Sequence, residues 1–216
     1  VITPIIEGTV QNLSFDNTTV SVRLRDPQEQ LSINHPVAEY LGNNSPPNGV
    51  EGTTDDIKGK IKPKVYGKVR NASPVLVNSS QLIYEVHDYS VSSGVAVSIV
   101  SVYDRGVALT FGTARASLAA LYAGTPAAGS YDTYLGYIKL GSAATGTITV
   151  DADSAKYLLG DVFELLAVEA GYTLLGASKT ALNALGTVGY YHTEKVTTAG
   201  LFDLLASSIG GYWAFS

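Results

Sequence analysis

The residues of this chain best suited to chemistry are the histidines His35, His87 and His192, the adjacent carboxylates Asp55 and Asp56, the acidic pair Asp151 and Asp153, and the lysines Lys58, Lys60, Lys62 and Lys64. An imidazole accepts protons near neutral pH and is the commonest metal ligand. Two carboxyl groups held at a fixed separation hydrolyse glycosides. Whether these types combine depends on spacing, and here the spacing is against it. No histidine has a second histidine or a carboxylate at ligand spacing on one helix face, and there is no HExxH. His87 and Asp88 are neighbours in a strand-like run, so their side chains point to opposite faces. They read as a strand end and a turn, since a working pair must lie within hydrogen-bond reach. Asp55 and Asp56 stand among lysines in a turn-rich loop, which suits a solvated turn or a docking surface better than a rigid carboxyl dyad. Asp151 and Asp153 fall at an expected helix start, where the dipole favours negative charge; capping explains them better than metal binding. Phosphate-loop, dinucleotide and nucleophile-elbow patterns are absent. Without cysteine there is neither a disulfide framework nor a thiolate metal site. The sequence therefore offers no catalytic residue, no cofactor-binding residue and no metal ligand, and a chain with this pattern is not expected to be an enzyme.

The elements that would hold these residues are mostly strands. Residues 6–10 and 19–25 alternate polar and apolar with period two, and Asp16-Asn17 between them is turn chemistry, so a hairpin is predicted. Asp26-Pro27 ends its second strand. Residues 43–53 form a turn-rich loop that runs on to 64 and is expected to be exposed. Further strands are predicted at 65–69, 82–86 and 95–103, with a turn at Asp104-Arg105-Gly106 into 107–109. A short helix is predicted over 114–122, capped by Gly124 and stopped by Pro126, followed by strands within 130–140 and 146–150. Tyr131, Tyr134 and Tyr137 cluster in that segment; with Tyr84, Tyr89, Tyr190, Tyr191 and Tyr212 they make a sugar-stacking platform conceivable, but core or subunit interface is the better reading.

After Val150 the pattern shifts to helical. Asp153 or Ser154 is expected to cap a helix reaching about residue 170, stopped by Gly171. A second helix is predicted over 178–185, a strand over 188–192, and a third helix from Thr197 or Thr198 to Gly210-Gly211. A last strand carries Trp213 and Phe215. The fold class is α+β: a mainly β part over residues 1–150, with the exposed loop 43–64, and a smaller α+β module over 151–216. The strand-like end and the absence of methionine suggest a piece of a longer polypeptide truncated at its C-terminus; a processed N-terminus and a natural end is the other reading.

Composition narrows the function classes. Charged residues make up 15% of the chain, against about 25% in ordinary soluble domains. Such a surface suits one partly covered by partners, although an ordinary acidic soluble protein also fits. The net charge of −5 argues against nucleic-acid binding, which needs a basic face. No stretch has the length of apolar residues needed for a membrane-spanning helix.

Gly52–Lys60 reads GTTDDIKGK and runs into Lys62-Pro63-Lys64-Val65-Tyr66-Gly67. This stretch resembles one in tail proteins of long-tailed bacteriophages (siphophages) and their prophages. Asn71, Pro74, Leu76, Leu82-Ile83-Tyr84, Tyr103-Asp104-Arg105-Gly106, the segment 162–171 and the segment 201–213 are also similar to that pattern. The resemblance spans most of the chain. It implies a virion structural protein of the tail tip or baseplate hub, assembled in the host cytoplasm as a homo-oligomeric ring, possible as a trimer, beneath the tail tube. Distal tail, tape-measure and fibre proteins would be its partners, and no catalytic residue carries over. A ring requires heterologous, closing interfaces on each subunit. The alternative reading is a carbohydrate-binding or cell-wall-degrading tail module.

Overall fold

The structure, a computed structural model, describes residues 9–25, 31–44, 49–91 and 94–214. In chain order the first strands are β1 (Thr9–Phe15), β2 (Val20–Arg25), β3 (Lys64–Ala72), β4 (Val75–Asn78), β5 (Ile83–Glu85), β6 (Val97–Asp104), β7 (Val107–Ala108) and β8 (Thr110–Ala114). Helix α1 (Leu118–Ala123) precedes β9 (Ser130–Tyr134), β10 (Tyr137–Leu140) and β11 (Ile148–Ser154). Then come α2 (Leu159–Glu169), α3 (Gly176–Asn183), β12 (Gly189–His192) and α4 (Thr198–Ser208). The class is α+β, mainly β with a smaller helical part. Contacts group the chain into two units, Val1–His35 with Lys195–Ser216, and Pro36–Glu194. The boundary expected at residue 151 falls inside β11, which hydrogen-bonds to β3 on one side and β6 on the other. The change of sequence pattern there marks a change from strands to helices within one unit.

In the first unit, β1 and β2 form an antiparallel hairpin about the predicted Asp16-Asn17 turn; its first strand runs over Thr9–Phe15 where 6–10 was predicted, and residues 6–8 lie outside the described residues. Asp16 and Thr19 exchange backbone hydrogen bonds at 2.9 and 3.3 Å, and the Asn17 N–H donates to Asp16 Oδ1 at 2.6 Å. The pairs Leu13↔Val22 and Phe15↔Val20 are in register, with a shift between Val10 and Asn12. Directly opposed residues share a face, and the extra residue absorbed at the shift returns Val10 to that face. One side of the hairpin is thus apolar and the other carries Asn12, Ser14, Ser21 and Arg23.

Helix α4 starts where expected: the Thr197 hydroxyl accepts the Gly200 N–H at 3.1 Å. It buries Leu201, Phe202, Leu205 and Ala206. The chain leaves it through Gly210, whose φ of +67° suits glycine. Residues 211–214 then fold back along the helix instead of forming the predicted strand; residue 215 lies outside the described residues. The Trp213 indole N–H donates to Asp203 Oδ1 at 2.7 Å, and its ring meets Phe202 edge-on at 5.4 Å. These anchors hold the backbone to α4 and away from any ladder.

The second unit holds two five-stranded sheets, ordered β4-β5-β10-β9-β8 and β12-β3-β11-β6-β7. Within each sheet every strand pairing is antiparallel except β8 with β9. In β11, alternate residues Ile148, Val150, Ala152 and Ser154 point inward, so Asp151 and Asp153 belong to a strand and not to a helix start. Asp153 pairs with Arg70 at 2.5 Å, and Asp151 accepts the Asn71 N–H at 2.9 Å. Helix α2 begins later, with no side-chain cap at Leu158. Its first N–H groups are met from outside the helix: Leu159 donates to the Gly186 carbonyl and Asp161 to Asn183 Oδ1, both at 3.0 Å. Helix α1 likewise starts late, capped by Ser117 at 3.1 Å, because residues 110–114 form β8.

Val65, Val69, Val86, Val102, Ile138 and Val150 anchor one core cluster. Tyr40, Ile57, Val77, Ile83 and Leu121 make another. No helix among the described residues is long and apolar enough to cross a membrane.

Candidate functional site

Residues 36–44 and 49–62 double back on each other and bond mainly among themselves. Tyr40 and Lys60 pair through Tyr40 N–H to Lys60 carbonyl at 2.9 Å, Gly59 N–H reaches the Tyr40 carbonyl at 2.9 Å, and Lys62 N–H reaches the Ala38 carbonyl at 2.8 Å. Gly52 and Gly59 turn the chain at φ of +65° and +76°; a Cβ at Gly52 would stand 2.2 Å from Ile57. These bonds tie the loop down. Ile57, Ile61 and Tyr40 are buried, and Asn44 Nδ2 donates to the Val77 carbonyl of edge strand β4 at 2.9 Å. Asp55, Asp56, Lys58 and Lys60 are exposed as expected, whereas Lys62 and Lys64 are buried. Both face inward because each meets a carboxylate: Lys62 pairs with Glu51, and Lys64 with Glu169 at 2.7 Å.

A cleft of about 590 Å³ opens between this loop and β4. Asp55, Asp56 and Lys60 form one wall, and Leu76, Asn78 and Ser80 the other. Thr53 Oγ1 donates to Asp56 Oδ2 at 2.5 Å, and the Asn78 amide is spent on the Gly49 carbonyl, Ser80 and Gln81. The two aspartates are thus parts of a turn at the mouth of the cleft.

Beneath the loop lies a buried polar cluster that sequence reasoning did not single out. Glu85, at the end of β5, is fully buried. The Tyr40 hydroxyl donates to its Oε2 at 2.6 Å, while Oε1 meets no hydrogen-bond donor. The Tyr191 hydroxyl, also buried, has no partner either. Burial drives the Glu85 carboxyl up to about 7, against the opposing pull of the Tyr40 hydroxyl, Lys62 and Tyr137. The same burial, reinforced by the Glu85 charge, pushes the hydroxyls of Tyr40, Tyr137 and Tyr191 up. The period-two run Ile83-Tyr84-Glu85-Val86-His87 was the available signal: Ile83, Glu85 and His87 share one face, and Ile83 belongs in the core.

The three histidines lie in separate surroundings. His87 Nδ1 accepts the Val65 N–H at 3.0 Å, which places the ring proton on Nε2. Burial, with the nearby Lys64 charge, lowers its pKa to about 4. A neutral ring whose only lone pair is already engaged is neither a general base nor a metal ligand. His35 contacts the Thr198 hydroxyl at 3.2 Å, and His192 packs against Tyr66 and Tyr190. Asp88 does not bond to His87; it accepts from the backbone and hydroxyl of Ser90 at 3.0 and 2.8 Å. Among the described residues no group of three or more His, Asp or Glu is arranged to hold a metal ion. Of the tyrosines considered for sugar stacking, Tyr131 is buried, Tyr84, Tyr89, Tyr134, Tyr137, Tyr190 and Tyr191 are half-buried, and Tyr212 is exposed.

The chain matches no family model, no curated protein and no solved structure.

Proposed function

We propose that this chain is a structural virion protein of a long-tailed bacteriophage, a component of the tail tip or baseplate hub. In this reading it assembles as a homo-oligomeric ring, such as a trimer, below the tail tube. It contacts distal tail, tape-measure and fibre proteins and turns over no substrate. The observation that carries the assembly role is the β1–β2 hairpin. Val10, Leu13, Phe15, Val20 and Val22 are 47 to 73% exposed, all on one face. A two-stranded hairpin is marginal in water by itself, and an uncovered apolar face of this kind marks an interaction site. A second feature agrees. The run 107–114, forming edge strands β7 and β8, carries no charge or proline and is exposed except at Leu109. Natural edge strands are usually blunted by such residues unless another chain pairs with them.

The test is the mass of the purified chain by light scattering and sedimentation across a concentration series. A defined multimer is expected, reduced to smaller species by the double substitution Leu13→Asp, Phe15→Asp with the circular dichroism spectrum unchanged. A strictly monomeric chain, indifferent to that change, that instead bound or cleaved host-surface polysaccharide would replace this reading with the glycan-directed one.

A further inference from the structure

We propose that Glu85 and Tyr40 form a proton-controlled latch on the loop formed by residues 36–44 and 49–62, tight while the carboxyl keeps its proton and loosened once the proton is lost. The carboxyl is met from four directions. The loop supplies Tyr40 and Lys62, the latter already paired with Glu51; Tyr137 comes from β10, Tyr191 from β12, and Asp88 from the segment after β5. Tyr137 and Tyr191 are fixed in ladders with their neighbours. Tyr40 is the hydrogen-bonding partner that rides on a loop. Lys62 lies over the Tyr40 ring, 5.4 Å from its centre, so Tyr40, Lys62 and Glu51 form one assembly carried by one segment.

Protonated, the carboxyl suits this site: a neutral group among hydroxyls has little need of water. Ionised, it is a buried charge with one oxygen lacking a donor, and such a charge is costly until it is hydrated or better paired. Lifting the Tyr40 end of the loop admits water to it. Linkage then fixes the direction. The closed form holds the proton up to about 7, against 4.5 for a hydrated carboxyl, so opening grows easier as pH rises from about 4.5 to 7 and changes no further above that. Asp55, Asp56, Ile57 and Lys60, which wall the cleft, lie on the same loop, so the latch also sets the shape of the cleft.

The experiment is amide hydrogen exchange on the full chain at pH 5 and pH 8, corrected for intrinsic rates. The amides of Tyr40, Gly59 and Lys62, which bond within the loop, report opening, and those of Val150 and Ala152 in β11 serve as reference. Protection of the loop amides is expected to drop at least about tenfold at pH 8, with a ceiling of about 100-fold from two pH units of linkage, while the β11 amides hold. In Glu85→Gln the loop should lose this pH dependence. Equal loop protection at both pH values, a parallel change in β11, or an undiminished response in Glu85→Gln overturns the latch. If that variant does not fold, carboxyl titration by NMR in the unaltered chain decides: a Glu85 midpoint near 4.5 overturns the proposal, and one near 7 that moves upward in Tyr40→Phe supports it.

Discussion

Replacing Glu85 with glutamine should stabilise this protein at pH 8 and make it sensitive to mild acid. Two buried groups bear opposite pH dependences. The Glu85 carboxyl is raised from 4.5 to about 7, chiefly by burial, so its contribution to stability is complete below pH 4.5 and is lost as pH rises through 7. The His87 imidazole is lowered from 6.5 to about 4, again chiefly by burial, so its contribution is complete above pH 6.5 and is lost as pH falls through 4. Each shift spans about 2.5 pH units, or about 3 kcal/mol at 1.36 kcal/mol per unit. Between pH 4.5 and 6.5 the slopes cancel. The pair together therefore leaves stability nearly level from about pH 4 to 8, with a rise of less than about 1 kcal/mol in the middle.

Glutamine keeps the shape and the acceptor for Tyr40 but cannot ionise. Urea unfolding followed by circular dichroism at half-unit pH steps reads the outcome. At pH 8 the variant should gain up to about 3 kcal/mol, since the charged carboxylate is no longer buried. From pH 6.5 to 4 it should lose about 3 kcal/mol relative to its own plateau, exposing the His87 contribution that Glu85 offsets in the natural sequence. A variant profile running parallel to the unaltered one would refute the assignment of the opposing slopes to these two groups.

Other substitutions test the same interior. Lys64 and Glu169 form a buried pair at 2.7 Å, with the Tyr66 hydroxyl on the second carboxylate oxygen at 2.7 Å. Lys64→Met alone should cost about 3–5 kcal/mol by stranding the carboxylate, whereas adding Glu169→Leu should recover most of that; equal losses in single and double variants by urea unfolding would contradict the pairing. Gly67 has a φ of +72°, and a Cβ there would stand 1.9 Å from the Val188 carbonyl oxygen. Gly67→Ala should destabilise by at least about 1–3 kcal/mol from backbone strain alone and speed amide exchange in β12; a variant with an unchanged melting temperature would rule out this close approach.

The parts of the fold legible in the sequence were those decided locally. The Asp16-Asn17 turn, the β12 run and the Thr197 cap each depend on a few neighbouring residues, and each is present. The parts that were not legible depend on distant partners. Asp153 and Ser154 look like a helix start in isolation, yet β11 continues through them because β3 and β6 bond to both of its edges. Trp213 looks like a strand residue until Asp203 and Phe202 are placed beside it. Lys62 and Lys64 read as solvated charges because Glu51 and Glu169 lie 11 and 105 residues away in sequence. The Glu85 cluster was hidden for the same reason: its partners come from residues 40, 137 and 191. A carboxylate in a strand is ordinary on a wet face and consequential on a dry one, and only the pairing of β5 between β4 and β10 settles which face Glu85 takes. Once that face is fixed, the chemistry follows from burial: a carboxyl that holds its proton to neutrality, an imidazole that refuses one, and a loop whose attachment depends on the first.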